Sequence, residues 1–413
     1  MFSKQIPPLN PKFLLPFTIW VAIFFLGCNP QEVRFRPNEL YVASLSKDSI
    51  DQEVTALANS ALEQVDLLFG KPNSPTWPSE IANVVDMAKV KRSAGPVGRD
   101  KDRVEYGLFR KHCVQCHGTT GDGQGPASAL LAPYPRDFRR GSFKFKSTPI
   151  GKKPTHVDLV RTLENGLPGT AMPAFGTLNR STEFAEDVDA LAHYVRYLSV
   201  RGEVERRLIS AIVNQEDAAE QVMTIASKVA ENWSKADSQS VNPQILLTAW
   251  TPEDQMAAIE RGKAVFLSEL TACSKCHGKL ADGKGTSQDF DEWTKDWTIR
   301  AGIDPSKKAE WKPMKRFGAL KPVLDSPRNL TLGAFRGGET RGDIYLRIVL
   351  GIEGSPMPAI ARKENDNPGI TEEGIRDLVE YVFSLSNPIS EGNPTLDGSV
   401  ITNDKEAEHE QSN

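Results

Sequence analysis

One five-residue string occurs twice in this chain, as Cys113-Val-Gln-Cys116-His117 and as Cys273-Ser-Lys-Cys276-His277. The two copies hold four of the five cysteines in 413 residues. Around each, the chain runs through the same series of features, from about Asp100 to Val200 and again from about Thr251 to Asn387, which marks a duplicated unit. An aromatic, Phe109 or Phe266, precedes each string, and a glycine-rich loop follows it, Gly121-Asp-Gly-Gln-Gly125 or Asp282-Gly-Lys-Gly285. Pro135-Arg136-Asp137-Phe138 then matches Pro327-Arg328-Asn329-Leu330. Asp158 and Asp343 head amphipathic stretches ending in Gly166-Leu-Pro-Gly169-Thr-Ala-Met172-Pro173 and Gly351-Ile-Glu-Gly354-Ser-Pro-Met357-Pro358, with equal Asp-to-Met spacing. Each copy closes on a helical pattern, Leu191, Tyr194, Val195 and Leu198, then Leu378, Tyr381, Val382 and Leu385.

The fifth cysteine has a different setting. Phe13 to Gly27 is an apolar run behind Lys4 and Lys12, the layout of an export signal and shorter than the roughly 20 residues of a spanning helix. Phe25-Leu26-Gly27-Cys28 resembles a bacterial lipobox, with small Gly27 before the cysteine and Phe25 where an aliphatic residue is usual. The expectation is a signal peptide over 1–27, a lipid-bearing Cys28, and an extracytoplasmic protein held at a membrane.

C-x-x-C-H in an exported chain reads as covalent attachment of a c-type haem. Two thiols three residues apart lie about one helical turn apart and can both bond one porphyrin edge. The next residue offers its imidazole to the iron. A redox dithiol needs no adjacent histidine, and a structural zinc site needs four close Cys or His ligands. The expected cofactors are therefore two covalent haems, on Cys113, Cys116 and His117 and on Cys273, Cys276 and His277. Met172 and Met357 are the expected sixth ligands, because a soft thioether favours ferrous iron and both methionines lie at matched positions of the repeat. His112 is too close to Cys113 to reach the opposite haem face. His156 competes for the first iron if Met172 dissociates, Met314 competes weakly with Met357, and His193 reads as a packing histidine.

On these motifs both halves resemble small all-helical cytochrome c domains, and the whole chain resembles an exported dihaem cytochrome c. The resemblance implies an all-α fold with two tandem cytochrome c-like domains over 100–200 and 251–390; between them Val222, Ile225, Ala226, Val229 and Trp233 at helical spacing read as a helical linker over 201–250. It also implies crossed terminal helices, which Gly262 and Phe266 against Tyr381 fit. The first copy departs, since Gly107 lies two residues before Phe109 rather than four. By the same resemblance Arg136 or Arg328 pairs with a haem propionate, an ordinary loop arginine being the alternative.

The remaining segments are less specific. Residues 28–99 read as one docked helix, with Val54, Leu57, Ala61, Leu62, Val65 and Leu68 at helical spacing, followed by a proline-rich linker. Residues 391–413 read as a disordered acidic tail. The second copy carries about 32 extra residues before Pro327, with Trp293, Trp297 and Trp311 expected to be buried over a haem edge or a domain interface. Lys144 and Lys146 suggest a positive face that steers an acidic redox partner. With 50 basic against 54 acidic residues the chain lacks the broad positive field of a nucleic-acid binder. The function expected is single-electron relay between a membrane-associated donor and a respiratory acceptor, alone or in a larger complex, with redox proteins as partners and no small-molecule substrate. A dihaem peroxidase or a small sulfur-compound dehydrogenase is the alternative.

Overall fold

The computed structural model describes residues 32–46, 50–176, 182–243, 251–363 and 368–387. The signal peptide, Cys28 and the acidic tail lie outside the described residues. Arg34 and Glu32 form an exposed pair at 3.9 Å. The following account concerns the chain from Phe35 onward. Its regular structure is mainly helical, with three short two-stranded antiparallel ladders as its only sheets among the described residues. No helix among these residues is long and apolar enough to cross a membrane.

The segment before the first repeat is more than a helix and a linker. Helix α1 (Glu39–Leu45) leads to α2 (Asp51–Phe69), which buries Val54, Ala58, Ala61, Leu62, Val65 and Phe69 on one face. The proline-rich stretch then makes a tight hairpin, β1 (Gly70–Lys71) with β2 (Ser74–Pro75), and sends Trp77 edge-on against Phe69 at 5.5 Å. Ile81, Val84 and Val85 are buried, and α3 (Met87–Ser93) starts where the Asp86 carboxylate accepts from the Ala88 amide at 2.9 Å. Prolines fix turn geometry here while their apolar neighbours join the core of the first repeat, so this stretch is no linker.

The Gly107 departure has a structural cause. A hairpin, β3 (Gly98–Arg99) with β4 (Glu105–Tyr106), interrupts the chain between α3 and the short α4 (Leu108–His112). Gly107 adopts φ of 74° and gives its amide to the Arg92 carbonyl at 2.8 Å, so α4 resumes beneath the end of α3. In the second repeat the same role falls to one unbroken helix, α9 (Pro252–Leu267). A Cβ on Gly262 would lie 2.0 Å from the Asp377 carbonyl, so only glycine lets α9 cross the closing helix α14 (Glu372–Ser384) this closely. Phe266 meets Tyr381 at 5.4 Å there, as Phe109 meets Tyr194 at 5.0 Å in the first repeat.

The expected boundary at residue 200 falls inside a helix. Helix α7 (Thr182–Val213) continues for 32 residues, burying Leu191, Tyr194, Val195 and Leu198 and then Val204, Leu208 and Ile209. Helix α8 (Ala218–Ser234) folds back and buries Val222, Ala226, Val229 and Trp233 in the same core. Trp233 Nε1 donates to Glu203 at 2.7 Å, and Lys153 pairs with Glu203 at 2.5 Å. The segment whose helical spacing suggested a bridge is thus structurally part of the first half, because its apolar stripe faces that core.

The extra segment of the second copy packs on the first. Helix α11 (Glu292–Ala301) and the turn α12 (Lys308–Trp311) bury Trp297 and Trp311 with Leu40 and Met314. Trp293 is half-buried beneath Arg136 at 4.1 Å and Arg140 at 4.7 Å. Asp296 receives Arg140, Arg206 and Arg300 at 3.6, 3.3 and 2.6 Å. Lys144 and Lys146 do not form a partner-steering face. Lys144 pairs with Asp291 at 3.0 Å, and Lys146, 3% exposed, pairs with Glu353, so the acidic partner they meet is the second half of the same chain.

Candidate functional site

The first C-x-x-C-H lies on a single helical turn, α5 (Val114–His117), so Cys113, Cys116 and His117 point into one cleft. The His117 ring stacks on Phe138, with centroids 4.6 Å apart and planes at 17°. Its Nδ1–H donates to the Arg136 carbonyl at 3.0 Å, which leaves Nε2 as the lone-pair nitrogen for a metal. Burial holds this imidazole down at a pKa of about 4, hence neutral at physiological pH, as a ligand must be. Burial also pushes the Cys113 thiol up to about 12.

The opposite wall comes from the loop after α6 (His156–Asn165). Leu167 gives its amide to the Met172 carbonyl at 3.1 Å, and the Met172 amide is fixed by the Thr170 hydroxyl at 3.1 Å. Gly166, at φ of 61°, lies so close to Pro173 and Ala174 that a Cβ would stand 2.5 Å from their backbone. This closed loop places Met172 on the cleft lining with Leu159, Leu163 and Phe175. The cleft, with the space at its mouth, spans about 1420 Å³ and is open on one side.

The second repeat has the same hydrogen-bond frame. Cys273, Cys276 and His277 lie on α10 (Cys273–His277), and the His277 Nδ1–H donates to the Arg328 carbonyl at 3.0 Å. Burial lowers the His277 pKa and raises that of Cys273. After α13 (Arg341–Leu350), Ile352 bonds to the Met357 carbonyl at 3.0 Å, the Met357 amide meets the Ser355 hydroxyl at 3.3 Å, and Gly351 sits at φ of 67°.

Among the described residues, none of His156, His193 and Met314 lines the first cleft. His112 reaches the cleft edge with its ring against Phe175, and Met314 packs beside Trp311. His156 turns away from the cleft and bonds Asp189 at 2.5 Å. His156, Asp189 and His193 bring their donor atoms within 4.8 Å, a spacing that suits a metal ion. Their chemistry does not suit one. The Asp86 amide donates to His193 Nδ1 at 3.1 Å, so the proton of the neutral ring sits on Nε2, the nitrogen facing Asp189. Lys89 already occupies that carboxylate.

Three lining residues of the first cleft belong to the second half: Asp291, Trp293 and Arg336. Sequence reading expected Trp293 over a haem edge or a domain interface but missed Asp291 and Arg336 as parts of this site. One signal was present, because Arg336 follows Arg328 at the same eight-residue interval by which Lys144 follows Arg136. Arg136 lines the cleft, and the Arg328 guanidinium donates to the Pro168 carbonyl at 3.1 Å, in the loop that carries Met172.

A thiol pair on one helical turn, a neutral histidine beside it and a thioether on the facing wall are the donor set of a His/Met c-type haem centre. Residues 106–199 match the cytochrome c family model and form a cytochrome c domain, of the kind that binds haem covalently and works by haem-based electron transfer. No curated protein matches the chain. Among solved structures, a chain of a reducing HAO-like protein complex from Kuenenia stuttgartiensis is similar, at 26% identity and a TM-score of 0.43, covering 68% of this chain and 94% of that one.

Proposed function

We propose that this chain is an exported dihaem electron carrier, lipid-anchored through Cys28, relaying single electrons between a membrane-associated donor and a respiratory acceptor. In this reading the two repeats are tandem cytochrome c domains with His117/Met172 and His277/Met357 as ligand pairs. The observation that carries it is the matched frame around both sites. In each repeat a backbone carbonyl orients the histidine and a glycine-hinged loop with a hydroxyl at its turn fixes the methionine.

When bound, haem supplies a one-electron iron couple, and the protein sets its potential and its access. Both histidines are held neutral with the lone pair facing inward. Both methionine loops are closed by hydrogen bonds, which keeps the thioethers preorganised as ligands. No side chain is asked to act as nucleophile, acid or base. The redox partners in this reading are proteins.

The test is an optical spectrum through the methionine-to-iron charge-transfer region, with peroxide turnover measured on the same sample. Two low-spin centres without turnover are expected. Met172→Ala and Met357→Ala should each abolish one half of that band, open one iron, and lower one potential by a sizeable part of the roughly 0.8 V that axial ligands span. A high-spin centre with peroxide turnover in the unaltered chain would instead establish the dihaem-enzyme reading. Mass spectrometry of the mature protein should find an acylated N-terminus at Cys28, and a start at any other residue would refute the lipid anchor.

A further inference from the structure

The first cleft gathers more positive charge than its walls neutralise. Arg136, Lys144 and Arg336 line it, with Asp158 and Asp291 as the carboxylates. Asp158 is committed to the backbone, accepting from the Ser147 amide at 2.9 Å and the Thr155 amide at 3.0 Å. Asp291 is taken by Lys144 at 3.0 Å, and Arg136 lies over Trp293.

Arg336 is the cation left over. Its Nε is buried without a hydrogen-bond partner, and among the described residues no carboxylate comes within ion-pairing distance of it. Burial lowers its pKa, neighbouring Arg328 lowers it further, and Asp325 and Asp291 offset this only in part. A half-buried guanidinium in that state favours an anion as its neighbour, since a charge taken partly out of water is stabilised by a counter-charge.

Its position is fixed by the fold. The next residue, Gly337, approaches Phe145 of the first repeat so closely that a Cβ would stand 3.0 Å from that ring, and Phe145 lines the same cleft. Arg347 adds a clamp, donating to the Lys144 carbonyl at 3.2 Å and to the Lys146 carbonyl at 2.5 Å. The loop bearing Arg336 is therefore held against the mouth of a site whose other ligands lie some 160 to 220 residues earlier in the chain.

Resting on the function proposed above, we propose that Arg336 of the second repeat holds a propionate of the haem in the first cleft, so that the first site is completed only by the docked second half. The planar fork of a guanidinium suits a carboxylate in two-point contact, and Lys144, its counterpart in the repeat, cannot substitute because it is already engaged. Arg336 acts here as a positioning and charge-compensating residue.

The test uses the full haem-loaded chain and spectroelectrochemical titration at pH 6 and pH 8. Arg336→Gln should lower the potential of one centre, identified as the first because Met172→Ala moves the same wave. The expected size is about a tenfold drop in its ferrous-to-ferric ratio at fixed applied potential, about 59 mV for one electron. The same wave should gain a pH slope as the propionate loses its partner and titrates, with Arg136, Lys144, Arg328, Asp291 and Asp325 as the charged groups around it. Arg336→Lys should shift it less and in the same direction, and provides the reading if the glutamine variant does not fold. A first-centre potential and pH slope unchanged in the variants that fold, or a shift confined to the other centre, would overturn the proposal. Haem counted by alkaline pyridine spectra is a separate result. One haem per chain defeats the dihaem reading but still permits the Arg336 measurement at the first site.

Discussion

Replacing Cys273 and Cys276 together by alanine is expected to remove about half of the covalently bound haem while the first site keeps its own. The two attachment turns are separate in the structure, α5 with its histidine oriented by Arg136 and α10 with its histidine oriented by Arg328. None of the four thiols is taken up in a disulfide. Intact mass before and after the change, with haem absorbance per chain, gives the count directly. Unchanged haem content would remove the second string from the list of attachment sites. Complete loss would mean that the halves load only together, and the single-attachment reading of each turn would have to be abandoned.

The second large effect concerns how the halves hold one another. Asp296→Asn should destabilise the protein by about 2 kcal/mol, because three guanidiniums then face each other without their shared counter-charge. Burial alone would raise the Asp296 pKa, but Arg140, Arg206 and Arg300 outweigh it and hold the carboxyl at about 2. The folded pKa thus lies below the unfolded one, so the stabilisation, about 2 kcal/mol, is fully present above roughly pH 4 and is lost as pH falls toward 2. Urea denaturation at pH 6 and at pH 3 should show a large deficit for the variant at the higher pH and a smaller one at the lower. Equal deficits at both would show that the carboxylate charge is not what matters.

Much of the site was legible because ligand chemistry leaves local marks. Two thiols and an imidazole must be close in sequence to share one helical turn, and a tight loop after a helix needs glycine, as at Gly166 and Gly351. The repeat made Met172 and Met357 informative in a way that a single methionine is not. The split of the first helix was only half legible. Gly107 was out of place, but nothing local says that a hairpin over 98–106 divides the helix. The packing of the halves left one trace, the tryptophans of the extra segment, and not its partners. Asp296, Trp297 and Arg300 occupy an ordinary helical pattern, and their partners Arg140, Leu40 and Ser44 lie far away in the sequence. Lys144 and Lys146 looked like surface charges because a sequence does not show which lysines a later segment will cover.

The cover formed by Trp297 and Trp311 also imposes an order of events. Arg300 reaches back 256 residues to the Ser44 hydroxyl, and the two tryptophans close over Leu40 in the same region. A chain emerging from its N-terminus can assemble the first core through α8, yet the face around Leu40 stays bare until the segment near residue 311 has been made. Through that interval the nascent protein exposes an apolar patch beside arginines still waiting for Asp296, the kind of transient surface that invites wrong association. Delivery of the second half is therefore also the step that makes the first half safe from its neighbours.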